Sequence, residues 1–150
     1  MENILALACD HGGFALKEEI KKHLDSIGVK YMDLGTDSEK SVNYPDYAAK
    51  LCHEIQSGNC YRGILCCGTG IGMSIAANKF DGIRAACATD CFSVRYTRLH
   101  NDANVLCLGG RVLGVGLALE LVDIFLSTEF EGGRHVDRLN MIKEIEKSQK

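Results

Sequence analysis

The sequence predicts an α/β fold, a three-layer α/β/α, Rossmann-like sandwich built on a five-stranded parallel sheet. Three observations carry that expectation. Short apolar runs alternate five times with helical patterns. A repeated strand-then-helix order calls for parallel strands joined by right-handed crossovers, with helices on both faces. The 150 residues also suit one domain that can bury roughly two thirds of the surface its unfolded chain exposes. Residues 1–150 are thus expected to form a single domain, with no linker, repeat or low-complexity segment.

The first apolar run is Ile4 to Cys9, followed by Gly13 to Ile27 with Leu16, Ile20, Leu24 and Ile27 on one helical stripe. The second strand is Lys30 to Leu34. The next helix is expected to start at Pro45, the only proline, because a missing N–H costs nothing in a first turn. Gly63 to Cys67 is the third strand, and a helix from about Ile71 to Lys79 leads to the fourth, Arg84 to Ala88. A polar helix from about Cys91 to Leu99 precedes the fifth strand, Val105 to Leu108. The helix Gly114 to Leu126 is apolar nearly all round and needs cover on more than one side, for which a homo-oligomer interface is expected. Gly132 and Gly133 then open a last helix.

Composition narrows the function. Hydrophobic residues at 46% and charged residues at 25% are the mixture of an ordinary enzyme. A formal charge of −3 gives no global attraction to nucleic acid or an anionic membrane, so any phosphate ligand needs a local cluster of cations. The N-terminus lacks a basic region before a long apolar stretch, and Val112 to Leu126 is interrupted by Gly114, Gly116, Glu120 and Asp123. Neither secretion nor a membrane span is expected. Eight cysteines form no C-x-x-C pair, and Cys9, Cys66, Cys87 and Cys107 lie in or beside strands where free thiols pack well. A reducing, cytoplasmic location follows from this usage.

In such sheets ligands bind beyond the carboxyl ends of the strands. Asp10-His11-Gly12-Gly13 after strand one puts a carboxylate and an imidazole ahead of a helix, suited to a sugar hydroxyl and a phosphate, or merely to capping that helix. After strand three comes Cys67-Gly68-Thr69-Gly70-Ile71-Gly72, whose glycines let backbone approach a ligand and whose N–H groups can stabilise an anion or a developing enediolate. Cys67 opens this turn, where the field favours a thiolate, whereas Cys66 points to the other face of the strand. The same G-x-G-x-G loop also suggests a nucleotide cradle, with Asp90 about where a ribose-binding acid belongs, although the spacing is not G-x-G-x-x-G and follows the third strand. His100 and Asn101 at a helix end offer acid/base chemistry and an oxyanion contact, or form only a polar C-cap. Gly109-Gly110-Arg111 brings one cation to the ligand edge. Arg134 and Arg138, four residues apart, make a candidate phosphate clamp, or a solvated basic face.

Taken together, Cys9 to Gly13 with Lys17, Asn43-Tyr44-Pro45-Asp46-Tyr47, the Cys67 loop running into Ile75-Ala76-Ala77-Asn78-Lys79, His100-Asn101-Asp102, and Gly132-Gly133-Arg134-His135 with Arg138 resemble the ribose-5-phosphate isomerase B family, also called the ribose/galactose isomerase family, along nearly the whole chain. The resemblance implies a metal-independent aldose–ketose isomerase of the pentose phosphate pathway, without a cofactor, acting on ribose 5-phosphate and ribulose 5-phosphate through an enediolate. It implies that Cys67 moves the proton, that Thr69 and the loop Gly68, Gly70, Ile71 and Gly72 handle the negative oxygen, and that His100, with Asp10 nearby, opens the furanose ring. Asn101 would help stabilise the enediolate, and His11, Arg111, Arg134 and Arg138 would hold the phosphate, with Tyr44 and His135 lining the site. One branch of the family uses a glutamate shortly after the glycine loop, and that position here is Met73. The resemblance also implies a homodimer or dimer of dimers with a shared site, the last helix, about 134–147, packing on the partner. Alternatives are a six-carbon substrate, allose 6-phosphate or galactose 6-phosphate, and a nucleotide-binding module without turnover.

Overall fold

The computed structural model describes residues 2–150. Five parallel strands, β1 (Leu5–Cys9), β2 (Tyr31–Asp33), β3 (Arg62–Cys67), β4 (Ala85–Cys87) and β5 (Val105–Gly109), lie in the order β2-β1-β3-β5-β4. Six helices connect and flank them: α1 (Phe14–Ile27), α2 (Tyr44–Gln56), α3 (Ile71–Ala77), α4 (Cys91–Asn101), α5 (Val115–Ser127) and α6 (Arg134–Ser148). The fold class expected from the sequence is the one observed, with differences of one or two residues at element ends. α2 starts at Tyr44, one residue early, and Pro45 still lies in its first turn.

Alternation along the strands divides the core in two. Leu5, Leu7 and Cys9 of β1 face the side covered by α1, α4 and α5, with Ile64, Cys66, Leu106 and Leu108. Ala6 and Ala8 face the side of α2 and α3, with Leu65, Cys67, Val105 and Cys107. Cys66 and Cys67 therefore point to opposite faces, as a pleated strand requires.

The strand order has one consequence that sequence periodicity does not reveal. β5 inserts between β3 and β4, so β4 becomes an edge strand. The chain enters α4 beyond the carboxyl end of β4 and travels back to the amino edge, where Arg84 is bonded to the carbonyl groups of Asn101 and Asp102. The cover of α5 also differs from expectation. Ala118, Leu121, Val122 and Phe125 are fully buried, and α5 packs against both α1 and α4, so its broad apolar face is covered largely from within the chain. The helix short of cover is α6, which buries His135 and Leu139 but exposes Val136, Met141, Ile142 and Ile145.

A half-buried ion pair ties α1 to the end of β2. Lys17 is 1% exposed, and its Nζ donates to Asp33 Oδ1 at 2.6 Å and to the Thr36 carbonyl at 2.7 Å. Asp33 also meets Lys21 at 2.8 Å. Partial burial works against the Asp33 carboxylate, but bonds from Lys17 and Lys21 outweigh it and hold its pKa low. The stabilisation is therefore complete above the unfolded carboxyl value of about 3.9 and is lost as pH falls through the lower folded value. Replacing Asp33 by Ala leaves a buried ammonium with the Thr36 carbonyl alone, and chemical denaturation at neutral pH should show a loss of about 3 kcal/mol. A loss in the range of an exposed pair, about 0–1 kcal/mol, would mean that Lys17 is not held by Asp33.

Candidate active site

Loops from three adjacent strands meet at the carboxyl edge. The reversal of strand order lies between β1 and β3, which is where an open α/β sheet leaves a crevice. The Asp10 N–H donates to the Cys66 carbonyl at 3.1 Å, Gly110 N–H to the Cys67 carbonyl at 2.8 Å, and Arg111 N–H to the Gly68 carbonyl at 3.0 Å. The approach is so close that a Cβ on Gly13 would stand 2.3 Å from the Cys66 carbonyl oxygen. Only glycine lets the Asp10 loop settle there.

Asp10 is 7% exposed, and its Oδ1 accepts the N–H groups of Gly12 and Gly13 at 2.9 and 3.1 Å. It shapes the entry to α1, as the capping alternative has it, while presenting a carboxylate to the crevice. His11 Nδ1 accepts the Val42 N–H at 3.2 Å. That bond places the neutral ring's proton on Nε2, which becomes a donor toward a ligand. The loop 37–43, silent in the sequence pattern, thus sets the tautomer of His11.

Cys67 is 5% exposed at the end of β3, and its Sγ accepts the Gly70 N–H at 3.1 Å. Gly70 holds a left-handed φ of 82°, which turns the chain back over the sulfur. Thr69 Oγ1 accepts the Ile71 N–H at 3.2 Å, so Gly72 supplies the next amide of the turn. Tyr44 packs directly over Gly72, and the Arg111 guanidinium lies beside Gly68. One chain therefore gathers Asp10, His11, Tyr44, Cys67, Gly68, Thr69, Gly70, Ile71, Gly72 and Arg111 at one edge.

Four other thiols, Cys9, Cys52, Cys66 and Cys107, are sealed in the core. Burial pushes Cys9 up to about 11 and Cys52 up to about 12. It also pushes Cys66 and Cys107 well up. Met73 is fully buried in the core beneath α3.

His100, Asn101, Arg134, His135 and Arg138 form a second group elsewhere. The expected proximity of His100 to Asp10 is not found within the chain. α4 ends at the amino edge, where Asn104 accepts the Gly63 N–H at the start of β3. Cys67 lies four residues further along, about 13 Å at the rise of an extended strand. Arg98, 2% exposed, fixes this end by donating to Asp102 Oδ1 and the Ala103 carbonyl, each at 2.8 Å, and to Thr128 at 3.0 Å. Asp102 caps α4 in a left-handed conformation, φ 45°. His135 is 3% exposed and stacks on His100 with ring centroids 4.1 Å apart. Burial, then His100 and Arg134, keep its imidazole below the ordinary value. Sequence reading missed Arg98, whose burial has no periodic signature, and Glu131, whose carboxylate lies 3.7 Å from His100 Nε2.

A groove of about 400 Å³ runs along α4 past Phe92, Tyr96, His100 and Asn101, and one of about 700 Å³ separates α6 from the β4 edge. Neither includes Cys67. Among the described residues no helix is long and apolar enough to cross a membrane. Asp90, the acid a nucleotide cradle would need, is the N-cap of α4 instead, accepting the Ser93 N–H at 2.7 Å and hydroxyl at 2.8 Å. The Ser93 N–H, then its hydroxyl, lower the carboxyl pKa.

Comparison with known proteins gives the family and the fold. The model of the family Ribose/Galactose Isomerase matches residues 5–142. Ribose-5-phosphate isomerase B of Escherichia coli (strain K12) is 48% identical over 142 residues, covering 95% of each chain. The structure of Clostridium thermocellum ribose-5-phosphate isomerase B superposes with a TM-score of 0.96 at 50% identity, covering 98% of this chain and 99% of that one. The Mycoplasma genitalium ribose-5-phosphate isomerase B crystallised with ribulose 5-phosphate gives 0.92 at 37%, covering 98% of each.

Asp90→Ala should remove the α4 cap at a cost of about 1 kcal/mol in denaturant unfolding and leave ligand binding at the Cys67 loop unchanged. Loss of ligand binding with stability intact would return Asp90 to the site.

Proposed function

Since the chain belongs to the ribose/galactose isomerase family, we propose that it interconverts ribose 5-phosphate and ribulose 5-phosphate with Cys67 as the carbon acid/base, without a metal. The observation that carries the assignment is the Cys67 sulfur, held at the switch point by the Gly70 N–H among Asp10, His11 and Arg111. The thiolate takes the proton from C2 of the open-chain aldose, the electron pair moves into a C1–C2 double bond, and negative charge collects on O1. The sulfur then returns the proton to C1 while the O2 hydroxyl proton passes to O1, leaving the C2 ketone. Thr69 and the amide of Gly72 suit the developing oxyanion, with Gly68 and Ile71 shaping the turn. A positioned base and these donors meet the needs of the step without Lewis-acid help. With Met73 sealed in the core, no side chain at that position competes with Cys67.

His11 Nε2–H and Arg111 lie on the same edge as Cys67 and suit the phosphate, and Tyr44 walls the pocket. His100, Asn101, Arg134, His135 and Arg138 project from the opposite end, so we assign their contribution to a second copy of the chain. His100 would open the furanose ring and Asn101 steady the enediolate, while Arg134 and Arg138 would clamp the phosphate, with His135 beside them. Support comes from two half-sites, each lacking what the other carries, and from the apolar residues left bare on α4 and α6: Phe92, Tyr96, Met141, Ile142 and Ile145. A homodimer suffices, and a dimer of dimers would keep the same pairs.

Cys67→Ala should lower kcat on ribose 5-phosphate by ~10²-fold or more with the fold unchanged, and retention of most of kcat would remove Cys67 as the base. Five- and six-carbon sugar phosphates assayed side by side decide the substrate, a strong preference for six carbons overturning the ribose assignment. Cys67→Ala and His100→Asn chains, each inactive alone, should regain about a quarter of wild-type activity when refolded together, because a symmetric mixed dimer carries one intact site. No recovery from a demonstrated mixed dimer would place both residues in one chain's site.

A further inference from the structure

His100, Glu131 and His135 offer one ligand atom each, all within 4.8 Å of one another. Separate elements deliver them. His100 lies in the last turn of α4, His135 opens α6, and Glu131 sits in the connection before α6, pinned by its N–H to the Leu99 carbonyl at 3.0 Å. His100 Nε2 lies 3.7 Å from Glu131 Oε2. His135 is 3% exposed, and its buried Nε2 has no hydrogen-bond partner. A buried ring nitrogen left unpaired calls for a water, an ion or a ligand.

We propose that these three side chains bind a divalent transition-metal ion of the zinc class, with water as the fourth ligand. Two imidazoles and a carboxylate are a donor set zinc accepts, and a set of this hardness disfavours calcium and magnesium, which take oxygen ligands. Tetrahedral ligands about 2.0–2.1 Å from zinc stand roughly 3.3 Å apart, so the triad must close. Its movable members are on the outside: the His100 side chain is 33% exposed and that of Glu131 47% exposed. The rings lie only 16° from parallel, and turning His100 out of the stack aims its nitrogen at the ion. Arg98 holds the α4 end in place during that movement.

Occupation withdraws His100 and His135 from sugar phosphate, so zinc-class ions inhibit turnover. This consequence rests on the functional reading above, whereas the site itself does not. Cobalt(II), added to full-length protein stripped with chelator, should bind once per chain with the visible absorption of a four-coordinate nitrogen–oxygen site. Glu131→Gln should weaken that binding by ~10-fold or more while leaving turnover in chelator unchanged, and it should keep working at zinc levels that stop the wild type. Absent visible bands, an affinity indifferent to Glu131→Gln, or near-ultraviolet bands of thiolate ligation would each overturn the site. Cobalt bound as stated to a chain that does not isomerise ribose 5-phosphate would sustain the metal site and sink the functional reading. Cobalt bound as stated without loss of isomerase turnover would overturn the inhibition.

Discussion

Backbone-to-backbone contact between the loops after β1, β3 and β5 is the constraint on which the rest of the carboxyl edge depends. Three amide-to-carbonyl bonds, from Asp10, Gly110 and Arg111 to residues 66–68, lock these loops to one another without any side chain. Such bonds are short and have few soft torsions, so the groups they carry are placed more narrowly than long side chains could place them. Asp10, Cys67 and Arg111 inherit their mutual positions from this seam. The glycines on it leave room for backbone where a methyl group would collide.

The opposite end of the molecule is organised by charge instead. Arg98 and Arg62 are nearly buried and donate chiefly to carbonyl groups, Arg98 to Ala103 just after α4 and to Thr128 at the end of α5, and Arg62 to Phe125 in the last turn of α5. A guanidinium with several donors can satisfy helix carbonyls left open at a C-terminus. The Phe125 ring lies within reach of both cations, its centroid 5.7 Å from the Arg62 guanidinium carbon and 5.9 Å from that of Arg98. This network carries His100 and the chain leading to α6.

Much of the fold was legible because periodicity reports burial directly. Leu5, Leu7 and Cys9 against Ala6 and Ala8, or Leu16, Ile20 and Leu24 along α1, repeat at the spacing of their element. What escaped was nonlocal. No local pattern distinguishes β4 at the edge from β4 in the middle, whereas the placement of His100 at the amino edge follows from α4 running back after a parallel strand. Asp90 was ambiguous for the same reason: an acid after a strand reads alike as ligand or cap until Ser93 is seen donating to it. The apolar girth of α5 suggested a partner, but α1 and α4 already flank it. The residues of the Cys67 loop were readable because glycines mark close approach, whereas Arg98 and Glu131 act through distant neighbours that no spacing records.

Under the pairing of two chains proposed above, the opposed placement of Cys67 and His100 has a kinetic meaning. A catalyst whose halves reside on different molecules has an order in protein concentration: strong dilution would depress specific activity faster than it depresses the amount of folded chain. Newly made chains would stay silent until they met, and a chain damaged at one end would still serve its neighbour with the other. Selection on such a protein acts on pairs, so a defect in either half is partly masked wherever intact and altered copies mix.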